Sequence, residues 1–378
     1  MTDSSIDNLI VGKRVLFING ICSDIPSGGN TATQTLLRYL SSRCTIEIFS
    51  MAPNRDRESG VAFAIKSFPA GVFIVLYRYW RRRWLEFFSR FSPWLLVSML
   101  LKYWLYRPDV LIFNHHCTFI FSYLYLSKKI LVWHDVPSIK AGNVSASKSS
   151  YRSICVCLEQ ISIKSASQSW VLSFTEYKFL KRFYRLRPFI IPALDHKPHP
   201  RNKKVIDNTW LLVGNWSRIE NCSGAIDFFL AYVELAFAVN IDLLGKFTIA
   251  GTGSSIFLEK LLQVDRRLKI LEIQALNHYN SLSQFNQLAL LAPINEGAGI
   301  KLKTLEAWSC DIPVIGTAQA FSGLSSGLWK FGGIKLESPN AMAKFCLNWK
   351  NSQTLVENLL PIKAYTDYLK TAMANDVR

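Results

Sequence analysis

No DxD dipeptide, no GxGxxG turn, no Walker-type lysine motif and no CxxC pair occurs anywhere in the 378 residues. Without DxD there is no paired carboxylate to hold a divalent metal against a nucleotide. The other missing glycine and lysine motifs argue against a dinucleotide oxidoreductase and a P-loop NTPase. The eight cysteines are scattered, and the closest two, Cys155 and Cys157, are spaced too tightly for zinc or redox patterns. They read as buried small side chains in a reducing compartment, and His196 with His199 as structural or solvent-facing. Met1 to Arg14 holds Asp3 and Asp7 but no basic stretch leading into an apolar run, so no secretory signal is expected and a cytoplasmic setting follows. The apolar stretch Phe91 to Tyr106 contains Lys102 and falls short of the roughly 20 residues needed to span a bilayer.

Acidic residues are scarce as well: 27 Asp and Glu face 44 Lys and Arg, a formal net charge of +17. Up to Asp195 the count is 25 basic against 12 acidic, which leaves 19 against 15 for the remainder. The first half therefore carries most of the excess. Its densest part is Tyr77 to Asp109, where Arg78, Arg81, Arg82 and Arg83 alternate with Trp80 and Trp84 at helical spacing. Such a helix suits the headgroup region of an anionic membrane, arginines on phosphates and aromatic rings at the acyl boundary. The plainer reading is a helix pair packed on its own domain with a solvated basic face.

Apolar runs and helical stretches alternate along both halves. Arg14 to Asn19, Cys44 to Phe49, Val110 to Asn114, Ile130 to Trp133, Trp170 to Ser173 and Phe189 to Ile191 read as strands of the first half. Helices are expected at Thr31 to Leu40, Ser150 to Ser167 and Thr175 to Tyr184. Pro192 to Asn208 looks like a linker. The second series has strands at Trp210 to Val213, Phe247 to Ala250, Leu268 to Leu271, Leu288 to Ala292, Pro313 to Ile315 and Gly333 to Leu336. Its helices are expected near Ala225 to Phe237, Ser255 to Gln263, Lys303 to Cys310 and Pro339 to Lys350. This alternation implies two doubly wound α/β domains with parallel sheets.

Glycine turns after strands can approach an anion with backbone N–H groups at a helix start. Gly28, Gly29 and Asn30 form one such turn, and Gly251 with Gly253 form a second. Ligands of open α/β sheets lie beyond the carboxyl ends of the strands, where both turns fall. The most informative stretch is Ala292 to Thr317, in which Gly297 and Gly299 allow a tight turn, Lys301 and Lys303 supply cations, and Glu306 follows on a helix. Cations and N–H groups suit a diphosphate, and a carboxylate suits ribose hydroxyls. The residue types alone equally allow a solvated glutamate and two surface lysines.

In combination, LLVGNW, FTIAGTG and LLAPINEGAGIKLKTLEAWSCDIPVIGTAQAFSGL resemble the donor domain of GT-B glycosyltransferases of the large retaining family 4 group. PSGGN, VWHDVPS and Glu159 with SWVLSFTEYKFL resemble its first domain more loosely. The resemblance implies two Rossmann-like domains facing across a cleft: residues 1–195 on the acceptor side with the basic aromatic helices, 196–355 binding the donor, and 356–378 as a terminal helix crossing back. It makes Glu306 the second glutamate of the family's E-x7-E signature and the ribose ligand. Ala298 stands eight residues before it and Glu296 ten, so the match is to a GAGIK-type variant lacking the first carboxylate. Glu296, Asn215, Arg218 and Asp135 are secondary donor positions, Lys301 and Lys303 the diphosphate cations, and His134 the histidine near the reaction centre, so that His134 and Glu306 form the catalytic pair.

The implied activity is retaining transfer of a sugar from a UDP- or GDP-linked donor, with no metal and no cofactor. The basic aromatic face points to a lipid-linked glycan acceptor, a polyprenyl diphosphate-linked oligosaccharide of bacterial surface polysaccharide assembly, at the inner face of the cytoplasmic membrane. Two other readings stay open: a non-hydrolysing nucleotide-sugar epimerase of the same architecture, and a nucleic-acid-binding protein, which a pI near 9.5 would suit. No nucleic-acid motif is present, so no nucleic-acid partner is expected.

Overall fold

The computed structural model of the protein describes residues 8–20, 28–50, 93–139, 149–194, 197–201, 204–239, 244–296, 299–325 and 327–374. Arg78, Trp80, Arg81, Arg82, Arg83, Trp84 and Gly297 lie outside the described residues. Two compact units divide the chain, Met1–Ala193 with Ala372–Arg378, and Leu194–Thr371.

The first unit contains β1 (Arg14–Asn19), β2 (Thr45–Ser50), β3 (Val110–Asn114), β4 (Lys128–Trp133), β5 (Gln168–Val171) and β6 (Phe189–Ile190). They form one sheet in the order β2-β1-β3-β4-β5-β6, every pair parallel. Its helices are α1 (Gly28–Ser41), α2 (Pro93–Tyr106), α3 (Ser149–Ser165) and α4 (Phe174–Phe183). β3 is buried at every residue and β1 at all but its first, which is why both read as continuous apolar runs: a parallel sheet covered on both faces has no wet side. Leu16, Phe113, Trp133 and Leu180 share one core with Ala372, so the last helix ends in the first unit. Along β2, α2 is fixed by a Lys102–Glu47 ion pair and by Tyr106 Oη donating to Thr45 O at 3.0 Å. Its opposite side leaves Leu101, Trp104 and Leu105 exposed. No helix among the described residues is long and apolar enough to cross a membrane.

The second unit contains β7 (Ile206–Val213), β8 (Lys246–Ala250), β9 (Glu272–Leu276), β10 (Gln287–Ala292), β11 (Val314–Thr317) and β12 (Gly333–Leu336). The order is β12-β11-β10-β7-β8-β9, again parallel throughout. With β7 as its first strand this is the 3-2-1-4-5-6 order, which reverses direction between β7 and β10. Its helices are α5 (Ile219–Val239), α6 (Ser254–Val264), α7 (Leu302–Ser309), α8 (Trp329–Gly332), α9 (Pro339–Leu347), α10 (Trp349–Glu357) and α11 (Pro361–Ala374). Phe228 and Tyr232 of α5 pack edge-on against Phe247 of β8, and Tyr232 Oη accepts Gly245 N at 2.8 Å, so the buried phenol keeps a partner.

Leu268 to Leu271, expected as a strand, is instead the end of a 3₁₀ turn over Arg266–Ile270, and the strand follows at Glu272–Leu276. The Asp265 carboxylate accepts Arg267 N at 2.9 Å and starts the turn, while buried Leu268 pins it to the core. The helix expected from Thr31 starts earlier, at Gly28, and the one expected over Pro339 to Lys350 breaks at Asn348 into α9 and α10.

Candidate active site

In the second unit β7 and β8 are each followed by a glycine. Gly214 N donates to Ala250 O at 3.1 Å, and Gly251 N to Leu276 O at 2.8 Å. At Gly251 φ is +111°, and a Cβ there would lie 2.1 Å from Gly214 O, so two strand ends approach as only glycine permits. Gly253, at φ +80°, opens α6. Between the glycines Trp216 Nε1 donates to Ala250 O at 2.9 Å, and its ring stacks on Phe257 at 4.5 Å.

Next to this junction the loop after β10 is held from two sides. A Cβ on Gly224 of α5 would lie 1.7 Å from Pro293 O, and one on Gly323 would lie 2.7 Å from Ile300 Cα. Ser322 Oγ donates to Gly299 O at 2.9 Å, and Gly299 itself has φ +69°. The chain then enters α7 with Lys301 as N-cap and without a side-chain capping bond. From the first turn of α7, Lys303 reaches back to the switch point: Nζ donates to Val213 O at 3.1 Å and to Asn221 Oδ1 at 3.1 Å. Asn221 is tied in turn through Nδ2 to Asn215 O at 2.9 Å. Both partners of Lys303 are neutral oxygens, and no carboxylate lies within ion-pair reach among the described residues. Burial, and then the charge of Lys301, lower its pKa to about 8. An uncompensated cation beside a second cation at strand carboxyl ends is an electrostatic invitation to an anion.

Glu306 stands one turn further along α7, where burial raises its pKa to about 7 and the backbone N–H of Leu282, in the β9–β10 connection, acts against that rise. Its charge also acts on the Tyr279 phenol, whose pKa burial raises first.

The first unit has its own polar cluster at the carboxyl ends of β1, β3 and β4, where its strand order also reverses between β1 and β3. Asn114 Nδ2 donates to Asn19 Oδ1 at 3.0 Å and to Thr33 Oγ1 at 2.9 Å; Asn114 Oδ1 lies 2.7 Å from His134 Nε2. Burial and the neighbouring His116 lower the His134 pKa to about 3, so the ring is neutral. The His115 ring lies 5.8 Å from His134 and 3.9 Å from His116. Glu159 is fully buried and accepts Ser138 N and Ser138 Oγ, each at 2.7 Å, and Tyr184 Oη at 2.5 Å, which secures the chain beyond β4.

Of the residues singled out from the sequence, Lys303 and Asn215 are linked through Asn221 beyond the end of β7, Gly251 approaches Gly214 beside them, and Lys301 acts on Lys303 through its charge. Gly28, Gly29 and Asn30 form the first turn of α1 rather than a loop before it. Arg218 is exposed in the turn before α5 and Glu296 is exposed in the loop after β10, while Asp135 is half-buried beside His134. Sequence reasoning missed Asn221, Asn19 and Asn114. The last two left a signal, an asparagine closing an otherwise apolar strand. Among the described residues no three His, Cys, Asp or Glu side chains converge as a metal site requires.

No protein-family model matches the chain, and no curated protein matches it. Solved structures do. Sucrose-phosphate synthase from Thermosynechococcus elongatus is 13% identical over 96% of each chain, with a TM-score of 0.63. Anabaena HepE in complex with UDP and glucose is 13% identical over 96% of this chain and 97% of its own, with a TM-score of 0.64. The lipopolysaccharide outer core galactosyltransferase WaaB is 16% identical over 96% of this chain and 97% of its own, with a TM-score of 0.55. The chain has the GT-B glycosyltransferase fold.

Proposed function

We propose that the protein is a retaining, metal-independent glycosyltransferase that moves a sugar from a nucleoside diphosphate-sugar to a membrane-associated acceptor. The observation that carries the proposal is Lys303: a cation set among neutral oxygens at the β7–β10 switch point, beside Lys301 and the N-terminus of α7. When the anomeric C–O bond breaks, the diphosphate takes the electron pair, and these cations with the N–H groups of α7 stabilise the charge that develops on it. The acceptor oxygen then bonds to the anomeric carbon on the face the nucleotide leaves, its proton passes to the departing diphosphate, and no covalent nucleophile is assigned. Glu306 receives the ribose hydroxyls. HepE, a neighbour solved with UDP-glucose, supports a nucleotide-sugar as donor.

The acceptor reading is a polyprenyl diphosphate-linked oligosaccharide in bacterial surface polysaccharide assembly. It rests on the arginine and tryptophan segment at positions 78–84 and on the lipopolysaccharide-directed neighbour WaaB. Thermal-shift screening against UDP, GDP, ADP and their sugar conjugates tests the donor site. The wild type is stabilised by one nucleotide series, and Glu306→Ala responds less to it. A wild type that responds to none, or a variant that responds equally, contradicts the assignment. Because the free Glu306 carboxyl titrates near 7, the response of the wild type grows as the pH rises from 6 to 7.5.

A further inference from the structure

We propose that the end of the first unit where all six strands begin is a docking face for an anionic lipid bilayer: its cations meet the lipid phosphates, while Trp104, Leu105 and Leu126 enter the headgroup region. The proposal rests on the membrane-associated acceptor proposed above and names the surface that reaches the membrane.

Because β1 to β6 are all parallel, their amino ends lie at one end of the sheet, and the helices that lead into them finish there. At about 4.8 Å between strands the row is roughly 24 Å wide. The segments that enter the strands, 11–14, 41–45, 104–110, 124–129, 161–168 and 181–189, hold eleven lysines and arginines and one carboxylate, Asp109. The segments at the opposite end, 19–20, 28–31, 114–118, 133–139, 149–152 and 171–176, hold one arginine and two carboxylates. Positive charge is therefore gathered at one end of this unit. Nine of the eleven cations are exposed. Asp109 pairs with Arg14 at 3.8 Å, and Arg107, Lys128, Lys164, Arg185 and Arg187 have no ion-pair partner among the described residues. Cations at helix carboxyl ends also complement the helix dipole, as Arg43 does by donating to Tyr39 O at 3.1 Å. That role does not account for Lys13 and Lys128, which stand at strand starts.

Apolar side chains project among these charges. The end of α2 is fastened across the row by Tyr103 Oη, 2.9 Å from Ser127 Oγ before β4, and by Tyr106 Oη on Thr45 O of β2. On its outer side Trp104 and Leu105 are 71% and 83% exposed, and Leu126, next to Ser127, is fully exposed. The phosphate rail of a nucleic acid duplex would meet the cations alone. A bilayer takes both sets, with rings and aliphatic chains at the acyl boundary below its phosphates.

Two of the cations stand where the backbone favours glycine. Arg107 after α2 has φ +48° and Arg185 after α4 has φ +56°, the left-handed region in which helices most often end on glycine. Arg107 N still donates to Tyr103 O at 2.8 Å, and Leu186 N to Leu180 O at 3.3 Å, so both helix ends are closed. Strain of this kind persists where function needs the side chain.

The test is flotation of the full chain with vesicles of equal parts phosphatidylglycerol and phosphatidylcholine. The wild type floats at low salt. Arg107→Gly with Arg185→Gly lowers the partitioning about tenfold or more, at about fivefold per surface cation, while the melting temperature holds because glycine relieves both turns. Lys128→Gln with Arg187→Gln gives the same loss and carries the test if the glycine pair does not fold. Trp104→Ser with Leu126→Ser removes the part of the binding that survives high salt. Brominated phosphatidylcholine quenches the tryptophan fluorescence of the wild type more than that of Trp104→Phe. A wild type that does not float overturns this face and the membrane-associated acceptor together, whereas a wild type that floats along with all three double variants overturns the face alone. Equal loss of binding to vesicles and to duplex DNA in the arginine variant, with no effect of the serine variant, overturns lipid as the partner.

Discussion

Lys303 combines two properties: it is half-buried, and its hydrogen bonds go to uncharged oxygens. Its folded pKa, lowered to about 8, lies below the ordinary lysine value, so the unfolded chain binds more protons than the folded one across pH 8 to 10. In that window folding stability contributed by this group rises with pH, and the buried charge is a net cost below it. Nucleotide binding has the opposite sign, since an anion needs the charged form. Affinity for UDP or GDP, measured by titration calorimetry, is therefore expected to decline above pH 8 in the wild type. Lys303→Met flattens that decline without lowering the melting temperature at pH 7. Of the site, residue types alone left Lys303 and Glu306 open between donor ligands and surface charges, and it was the resemblance to donor domains of family 4 that singled them out. Neither had any means of reaching Asn221, which stands 82 positions from Lys303 and meets it only because β7 and β10 are neighbours in the sheet.

The elements that were legible were those buried on both faces. Arg14–Asn19 and Val110–Asn114 match the expected strands end to end, because continuous apolar runs bounded by turn residues leave few alternatives. β9 is an edge strand with only half-buried or exposed residues, and its sequence, EIQAL, carries little apolar signal. The more apolar Leu268 to Leu271 beside it drew the expectation instead. Glycine positions were legible as turns but not as contacts: that Gly251 must face Gly214 O is a fact of the sheet. Gly251→Ala places a Cβ 2.1 Å from that oxygen at a φ disfavoured for alanine. Urea unfolding is expected to show a loss of about 2 to 4 kcal/mol, with nucleotide binding weakened in the fraction that folds.

For the whole molecule, the two units use the same device. Each parallel sheet reverses its order once, and at each reversal a polar or charged cluster sits beyond the strand ends: Asn19, Asn114 and His134 in one unit, Gly214, Asn221 and Lys303 in the other. The uneven charge belongs to this scale too, since most of the excess of positive residues lies before Asp195. A protein that works on a lipid-linked acceptor is expected to float with liposomes containing anionic lipid at low salt, and to lose most of that binding when Arg81, Arg82 and Arg83 are replaced by glutamate. Flotation that is absent in the wild type, or untouched in the variant, removes the membrane role.

The most direct test of the account is a comparison of diphosphate with monophosphate binding in wild type and Lys303→Met, using UDP against UMP, or GDP against GMP if guanine is the base. The account predicts that the wild type prefers the diphosphate and that Lys303→Met loses about tenfold to a hundredfold of affinity for it, as befits one charge-assisted contact, with little change for the monophosphate. A variant that binds the diphosphate as tightly as the wild type does would contradict it.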